Sequence, residues 1–117
     1  MTASGTGKIH EIRSMEEFEN YRDNSGDKLV VIDFYADWCG PCKAIAPAFK
    51  KLADEHTDVC FLQVDVEEQE EVCAECKVDC MPTFHFYKNG KQLNTFSGAN
   101  LEALKSAIKE HKKKDAK

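Results

Sequence analysis

No stretch of this chain approaches the ~18 consecutive apolar residues that a membrane-spanning helix needs, so no membrane partner is expected. Nor does it contain the Gly-x-Gly-x-x-Gly turn that cradles a dinucleotide. The opening MTASGTG has neither a basic region nor an apolar core, so no secretory signal is expected and residues 1–7 read as a short flexible lead. Positive charge is also in deficit, with 16 Lys and Arg against 21 Asp and Glu, a net of −5. From Lys109 onward five lysines face only Glu110 and Asp115, a net of +3, which leaves −8 for residues 1–108. Nucleic acid binding needs a basic surface, so an acidic body excludes it as the main partnership. The Lys112–Lys114 run suits the C-terminal end of a helix, where the macrodipole favours cations. There is no internal linker and no repeat. What the chain has in quantity is cysteine, six in 117 residues. Without an export signal the expected compartment is reducing, the cytoplasm with the nucleus open to it. There, cysteines are more often catalytic or metal-binding than structural.

The length is that of one ordinary domain, and 42% hydrophobic residues can bury a core without staples. KIHEI (8–12) alternates like a short strand. Ser14 and Glu17 have capping-box spacing and open a helix over roughly 15–24. LVVIDFY (29–35) is apolar and β-branched, the pattern of a strand buried on both faces. A helix is expected from Cys39 to about His56, with Ile45, Phe49, Leu52 and Ala53 on its core face and a kink at Pro47. VCFLQV (59–64) reads as a second core strand, and the acids of DVEEQEEVCAEC suit the first turn of another helix. Asn89-Gly90 joins strands 83–88 and 91–96 as a hairpin. Asn100 caps a last helix whose core face is Leu101, Leu104 and Ile108. The order β-α-β-α-β-α-β-β-α implies an α/β fold. Its first strands pair in parallel through crossover helices, and the final hairpin adds antiparallel pairing.

The chemistry concentrates in VVIDFYADWCGPCKAIAP (30–47). Two cysteines two residues apart could be a disulfide staple, half a metal site or a reactive centre. Cys39 falls at a strand-to-helix junction, where free N–H groups and the dipole favour thiolate over thiol. Cys42 lies one turn on, on the same face. Gly40 lets the backbone turn sharply, and Pro41 presets the helical φ without needing a donor partner. Such a pair can attack a disulfide in another protein. Cys39 would form the mixed disulfide and Cys42 would resolve it, a step in which Cys42 must lose its proton. Asp33 is a lone carboxylate in a run expected to be buried. Burial raises a carboxyl pKa and suits it to proton exchange near neutral pH. The alternative is that Asp33 sits solvated at a sheet edge.

WCGPCK preceded by DFYADW and followed by AP, then MPTF, NG and FSGAN, resembles the thioredoxin family over roughly residues 8–110. The resemblance implies a thioredoxin fold, a central mixed five-stranded sheet flanked by four helices, with a domain at 8–111 and a basic tail at 112–117. It implies Cys39 as the attacking thiol, Cys42 as the resolving thiol and Asp33 as the buried base, supported by Gly40, Pro41, Lys43 and Pro82. It further implies a cis Met81-Pro82 bond and a substrate surface made by Trp38, Met81, Pro82, Gly98 and Ala99. The bland alternatives are a core Trp38 and a plain turn at Gly98. No bound cofactor is implied, since the cysteine pair is the redox group. The implied partners are proteins bearing disulfides and an NADPH-dependent thioredoxin reductase.

Cys60, inside a core strand, is expected to be an inert buried thiol. Cys73 and Cys76 form a second C-x-x-C, and Cys80 precedes Met81-Pro82. The three are read as regulatory. Cys76 and Cys80 resemble extra cysteines of animal thioredoxins, and Cys80 is expected to support a redox-dependent homodimer. Cys73 departs from that pattern. A zinc site shared by both C-x-x-C pairs is not expected, because thirty residues and a core strand separate them. The leading function is a general protein disulfide reductase that donates electrons in cell redox homeostasis. A clamp that binds a partner when reduced is the second reading. An oxidase or isomerase domain is the third, opposed by Gly40-Pro41 and the missing signal.

Overall fold

A computed structural model of the chain describes residues 9–113. The expected lead at 1–7, Lys8 and the end of the basic tail at 114–117 lie outside the described residues. The elements follow the expected order: β1 (Ile9–Glu11), α1 (Met15–Asp23), β2 (Val30–Tyr35), α2 (Gly40–Glu55), β3 (Cys60–Asp65), α3 (Glu70–Cys76), β4 (Thr83–Lys88), β5 (Lys91–Ser97) and α4 (Leu101–Lys113). The sheet runs β1-β3-β2-β4-β5. β1, β3 and β2 are parallel, β4 is antiparallel to β2, and β5 is antiparallel to β4. This is the mixed five-stranded sheet with four helices that the resemblance implied.

Alternation along the strands divides the core. Val31, Phe61, Phe84 and Phe86 face α2 and α4, where Ile45, Phe49, Leu52, Leu104 and Ile108 meet them. Val30, Ile32, Phe34, Leu62 and Val64 face the other way, onto Phe18 of α1 and Val72 and Cys73 of α3. β2 lies between two neighbours and under helices on both faces. Its first five residues are all buried, as its unbroken apolar run requires.

Local chemistry sets the element ends. The Ser14 hydroxyl accepts from the Glu17 N–H at 3.0 Å. The Glu17 carboxylate takes the Arg13 N–H at 2.7 Å, one residue earlier than a standard capping box. The Asn100 side chain accepts from the Ala103 N–H at 3.0 Å and caps α4. α2 continues through Pro47 without a break. α4 extends to Lys113, so the first two residues of the expected tail are helical. Lys88, buried beneath this helix end, donates to the His111 carbonyl at 2.8 Å. The Lys112 ammonium bridges His56 Nδ1 at 2.8 Å and Asp58 at 3.3 Å, tying the ends of α2 and α4 together.

Asn89 and Gly90 both take positive φ, 54° and 80°, the two-residue hairpin turn that suits the strand twist. A methyl group on Gly90 would sit 3.4 Å from Asp23 Oδ1 in a conformation that L-residues avoid. Gly90→Ala should therefore cost about 1 kcal/mol, read as a Tm lower by roughly 4 °C in thermal unfolding.

Candidate active site

β2 delivers the chain to a short loop, and α2 begins just beyond it. Cys39 is the N-cap of α2, with extended backbone, and Pro41 sits in the first turn. The Cys42 N–H donates to Cys39 Sγ at 3.1 Å. Cys39 and Cys42 are joined as a disulfide, with Cα atoms 5.3 Å apart. No acidic side chain occupies the first turn of α2. Once the bond is reduced, the same N–H and the helix dipole would stabilise a thiolate at Cys39. Both cysteines are 5% exposed and pack with Ala36, Tyr35, Val66 and Met81. Gly40, Pro41 and Lys43 are exposed at the start of α2.

The Met81-Pro82 bond is cis, as the resemblance implied. Pro82 is buried, and its carbonyl accepts from the Gly98 N–H at 2.8 Å. Gly98 takes φ +99°, which glycine tolerates and other residues rarely do. Ala99 beside it is exposed. Trp38 is 63% exposed, one of two large apolar residues among the described residues that face solvent. That removes the core alternative for this side chain. Its indole N–H is held by the Glu67 carboxylate. Met81 packs against the Cys39–Cys42 pair, and Trp38, next to Cys39 in the chain, faces solvent.

Asp33 is buried, 2% exposed, so the sheet-edge alternative fails. Desolvation pushes its carboxyl up to about 7; a hydrogen bond from Gln63 acts against this and the Glu11 charge adds to it. Its Oδ1 has no hydrogen-bond partner. Asp33 and Cys42 line one cavity of about 210 Å³ with Tyr35, Ala36, Asp37, Lys43, Ala46 and Gln63. That volume holds several waters, since one needs only roughly 10–15 Å³. A proton can therefore pass between Cys42 and Asp33 through solvent in the cavity they share.

The cavity wall holds residues that sequence reasoning missed. Gln63 pairs with Asp33 across β2 and β3, and Tyr35 follows two residues on, on the same face. Glu67, which steadies Trp38, also escaped notice. Alternation within each strand carries part of this signal, but the pairing register between strands does not appear in either segment alone.

The other cysteines are free thiols. Cys60 is half-buried at the first residue of β3, rather than sealed in the core as expected, and burial raises its thiol pKa. Cys73 is buried on α3 and Cys76 half-buried at its last residue. Burial pushes each thiol up to about 11, which makes both slow nucleophiles at neutral pH. Cys80 is exposed, with its sulfur 3.2 Å from Ser97 Oγ. Among the described residues no group of three or more His, Cys, Asp or Glu side chains is arranged to hold a metal ion.

The thioredoxin family model matches residues 10–110. Mouse thioredoxin is 52% identical over 100 residues, 86% of this chain and 95% of the mouse protein. Human thioredoxin is 49% identical over 102 residues, 87% of this chain and 97% of its own. The X-ray structure of Fasciola hepatica thioredoxin superposes with a TM-score of 0.86 at 42% identity, covering 88% of this chain and 99% of that one.

Proposed function

The chain belongs to the thioredoxin family and is a thiol-disulfide oxidoreductase, and from that premise we propose how its residues carry the exchange. The reduced Cys39 thiolate attacks one sulfur of a target disulfide. A Cys39–target bond forms, the target disulfide breaks, and the second target sulfur leaves as a thiolate that picks up a proton. Asp33, as a carboxylate, then takes the Cys42 proton across the shared cavity. The Cys42 thiolate attacks Cys39 Sγ, closes the Cys39–Cys42 disulfide and expels the other target sulfur. Two electrons pass to the target, and the protein ends oxidised. The observation that carries this reading is the placement of a buried, partly unpartnered carboxyl and the second cysteine on one cavity.

Trp38, Met81, Pro82, Gly98 and Ala99 supply the rim on which an extended target segment docks, with main-chain pairing beside Met81. Gly40, Pro41 and Lys43 support the start of α2. The targets are protein disulfides, and the role is that of a general electron donor in the cytoplasm. Recharging falls to an NADPH-dependent thioredoxin reductase, since the redox group is the cysteine pair and no bound cofactor is required.

Insulin reduction with dithiothreitol as electron donor tests the reading: rapid precipitation of the freed chains is expected. A folded protein without activity above the dithiothreitol background would contradict it. Replacing both Cys39 and Cys42 with serine separates a reductase from a reduced-state clamp, because a clamp would keep its partner.

Cys73, Cys76 and Cys80 are the regulatory thiols in this reading. The exposed Cys80 is positioned for an intermolecular disulfide under oxidation. On non-reducing gels Cys80→Ser should lose the dimer band formed by the oxidised wild type; persistence of that band would remove Cys80 from the role.

A further inference from the structure

A polar row crosses the sheet beneath the active site. Glu11 on β1 pairs with Gln63 on β3, and Gln63 pairs with Asp33 on β2. Residues paired in register share a face, so these side chains stand in line on the α2 side. One pleat further on, Tyr35 pairs with Asp65 on the same face. The Tyr35 hydroxyl turns back to Glu11 and reaches its two carboxylate oxygens at 3.0 and 2.9 Å. Tyr35 and Gln63 both line the cavity that holds Asp33 and Cys42. Glu11 is therefore joined to the cavity wall by two routes, although it lies 22 residues before Asp33 and 52 before Gln63 in sequence.

We propose that Glu11 is a positioning residue for the exchange reaction. Its carboxylate fixes the Tyr35 hydroxyl at the wall of the Asp33 cavity. It also gives Asp33 a like-charge neighbour across the sheet, which makes Asp33 the stronger base toward Cys42. This rests on the reading of Asp33 as that base.

The surroundings favour a negative field at Asp33. β1 contributes Glu11, with Arg13 just beyond it as a counter-charge. β3 contributes the neutral Gln63 and the acidic Asp65, and Glu68 follows in the next turn. The loop before α2 adds Asp37, and α2 adds Lys43 beside Cys42. β4 presents the apolar Phe84 opposite Asp33. Burial raises the Glu11 carboxyl, while the Tyr35 hydrogen bond acts the other way and favours its charged form. Burial also raises the Tyr35 phenol, with the Glu11 hydrogen bond adding to it, so this hydroxyl stays a donor across the working range.

The test is the titration of the Asp33 carboxyl, followed by carbon NMR in the reduced protein, for wild type, Glu11→Gln and Glu11→Asp. Gln keeps an acceptor for Tyr35 and removes only the charge. Two strand spacings separate the Glu11 and Asp33 backbones by about 10 Å. At that range, losing the charge should lower the Asp33 midpoint by about 0.5–1 unit. At pH 8, where Asp33 is ionised in both proteins, the rate at which Cys42 resolves a mixed disulfide should fall about two- to threefold. Glu11→Asp should hold the midpoint near wild type. An unchanged midpoint in folded Glu11→Gln, or the same drop in Glu11→Asp, would overturn the proposal. Asp33→Asn separates the two layers. If that variant resolves as fast as wild type, the base reading fails and Glu11's part in the reaction goes with it. A lower midpoint in Glu11→Gln would still stand as coupling between the carboxyls.

Discussion

Cys39→Ser is expected to reduce insulin no faster than dithiothreitol alone. Serine can occupy the N-cap and accept the Cys42 N–H in place of sulfur, so the variant should fold. Its hydroxyl is not ionised at neutral pH and cannot form a disulfide. No other free thiol can stand in: Cys73 and Cys76 are pushed up to about 11, burial raises Cys60, and Cys80 has no resolving cysteine at the spacing of Cys42. Cys42→Ser should behave differently. Attack by Cys39 still proceeds, and turnover stops at the mixed disulfide because nothing closes the second bond. Single-turnover kinetics with a disulfide substrate checks both variants. Appreciable turnover in Cys39→Ser would remove that residue as the nucleophile.

Asp33→Asn is expected to slow the resolving step and to stabilise the fold. The Asp33 carboxyl is held at about 7 by burial, against an ordinary value of about 3.9 in an unfolded chain. A carboxyl whose pKa rises on folding favours the native state only while it is protonated. That contribution is complete below the unfolded pKa and is lost as pH rises through the folded one. Above pH 7 the ionised Asp33 therefore costs the native state about 4 kcal/mol. An amide of the same shape escapes that cost, apart from whatever hydrogen bonding it leaves unmet. Urea unfolding of wild type and Asp33→Asn at several pH values reads the effect. The variant should be the more stable at pH 8, with the difference closing toward pH 4. A pH-independent difference would contradict the burial argument. The same substitution should lower the rate of target release near neutral pH, which links the instability of this site to its chemistry.

Much of this site was legible in the sequence because local patterns determine it. CGPC after a β-branched run places two thiols at a helix start, and Asp33 stands out as the one charge in LVVIDFY. Asn89-Gly90 and Asn100 mark a turn and a cap through their own backbone preferences. The parts that escaped depend on relations between distant segments. Glu11, Gln63 and Asp33 align only because β1, β3 and β2 pair in one particular register, and parallel strands joined by crossovers carry no local sign of it. The exposure of Trp38 depends on how the loop after β2 leaves the sheet, which composition does not specify. Cys60 reads as core by its neighbours, yet it opens its strand and lies half out of the packed layer. Glu17 has the spacing of a capping box, but its side chain caps Arg13.

The most direct test of the central claim is to mix reduced Cys42→Ser protein with a disulfide-bearing substrate and map the trapped adduct by mass spectrometry. The expected result is one mixed disulfide per chain, on Cys39, released by dithiothreitol. An adduct on Cys80 or Cys73, or no adduct while the protein remains folded, would contradict the assignment of Cys39 as the attacking thiol.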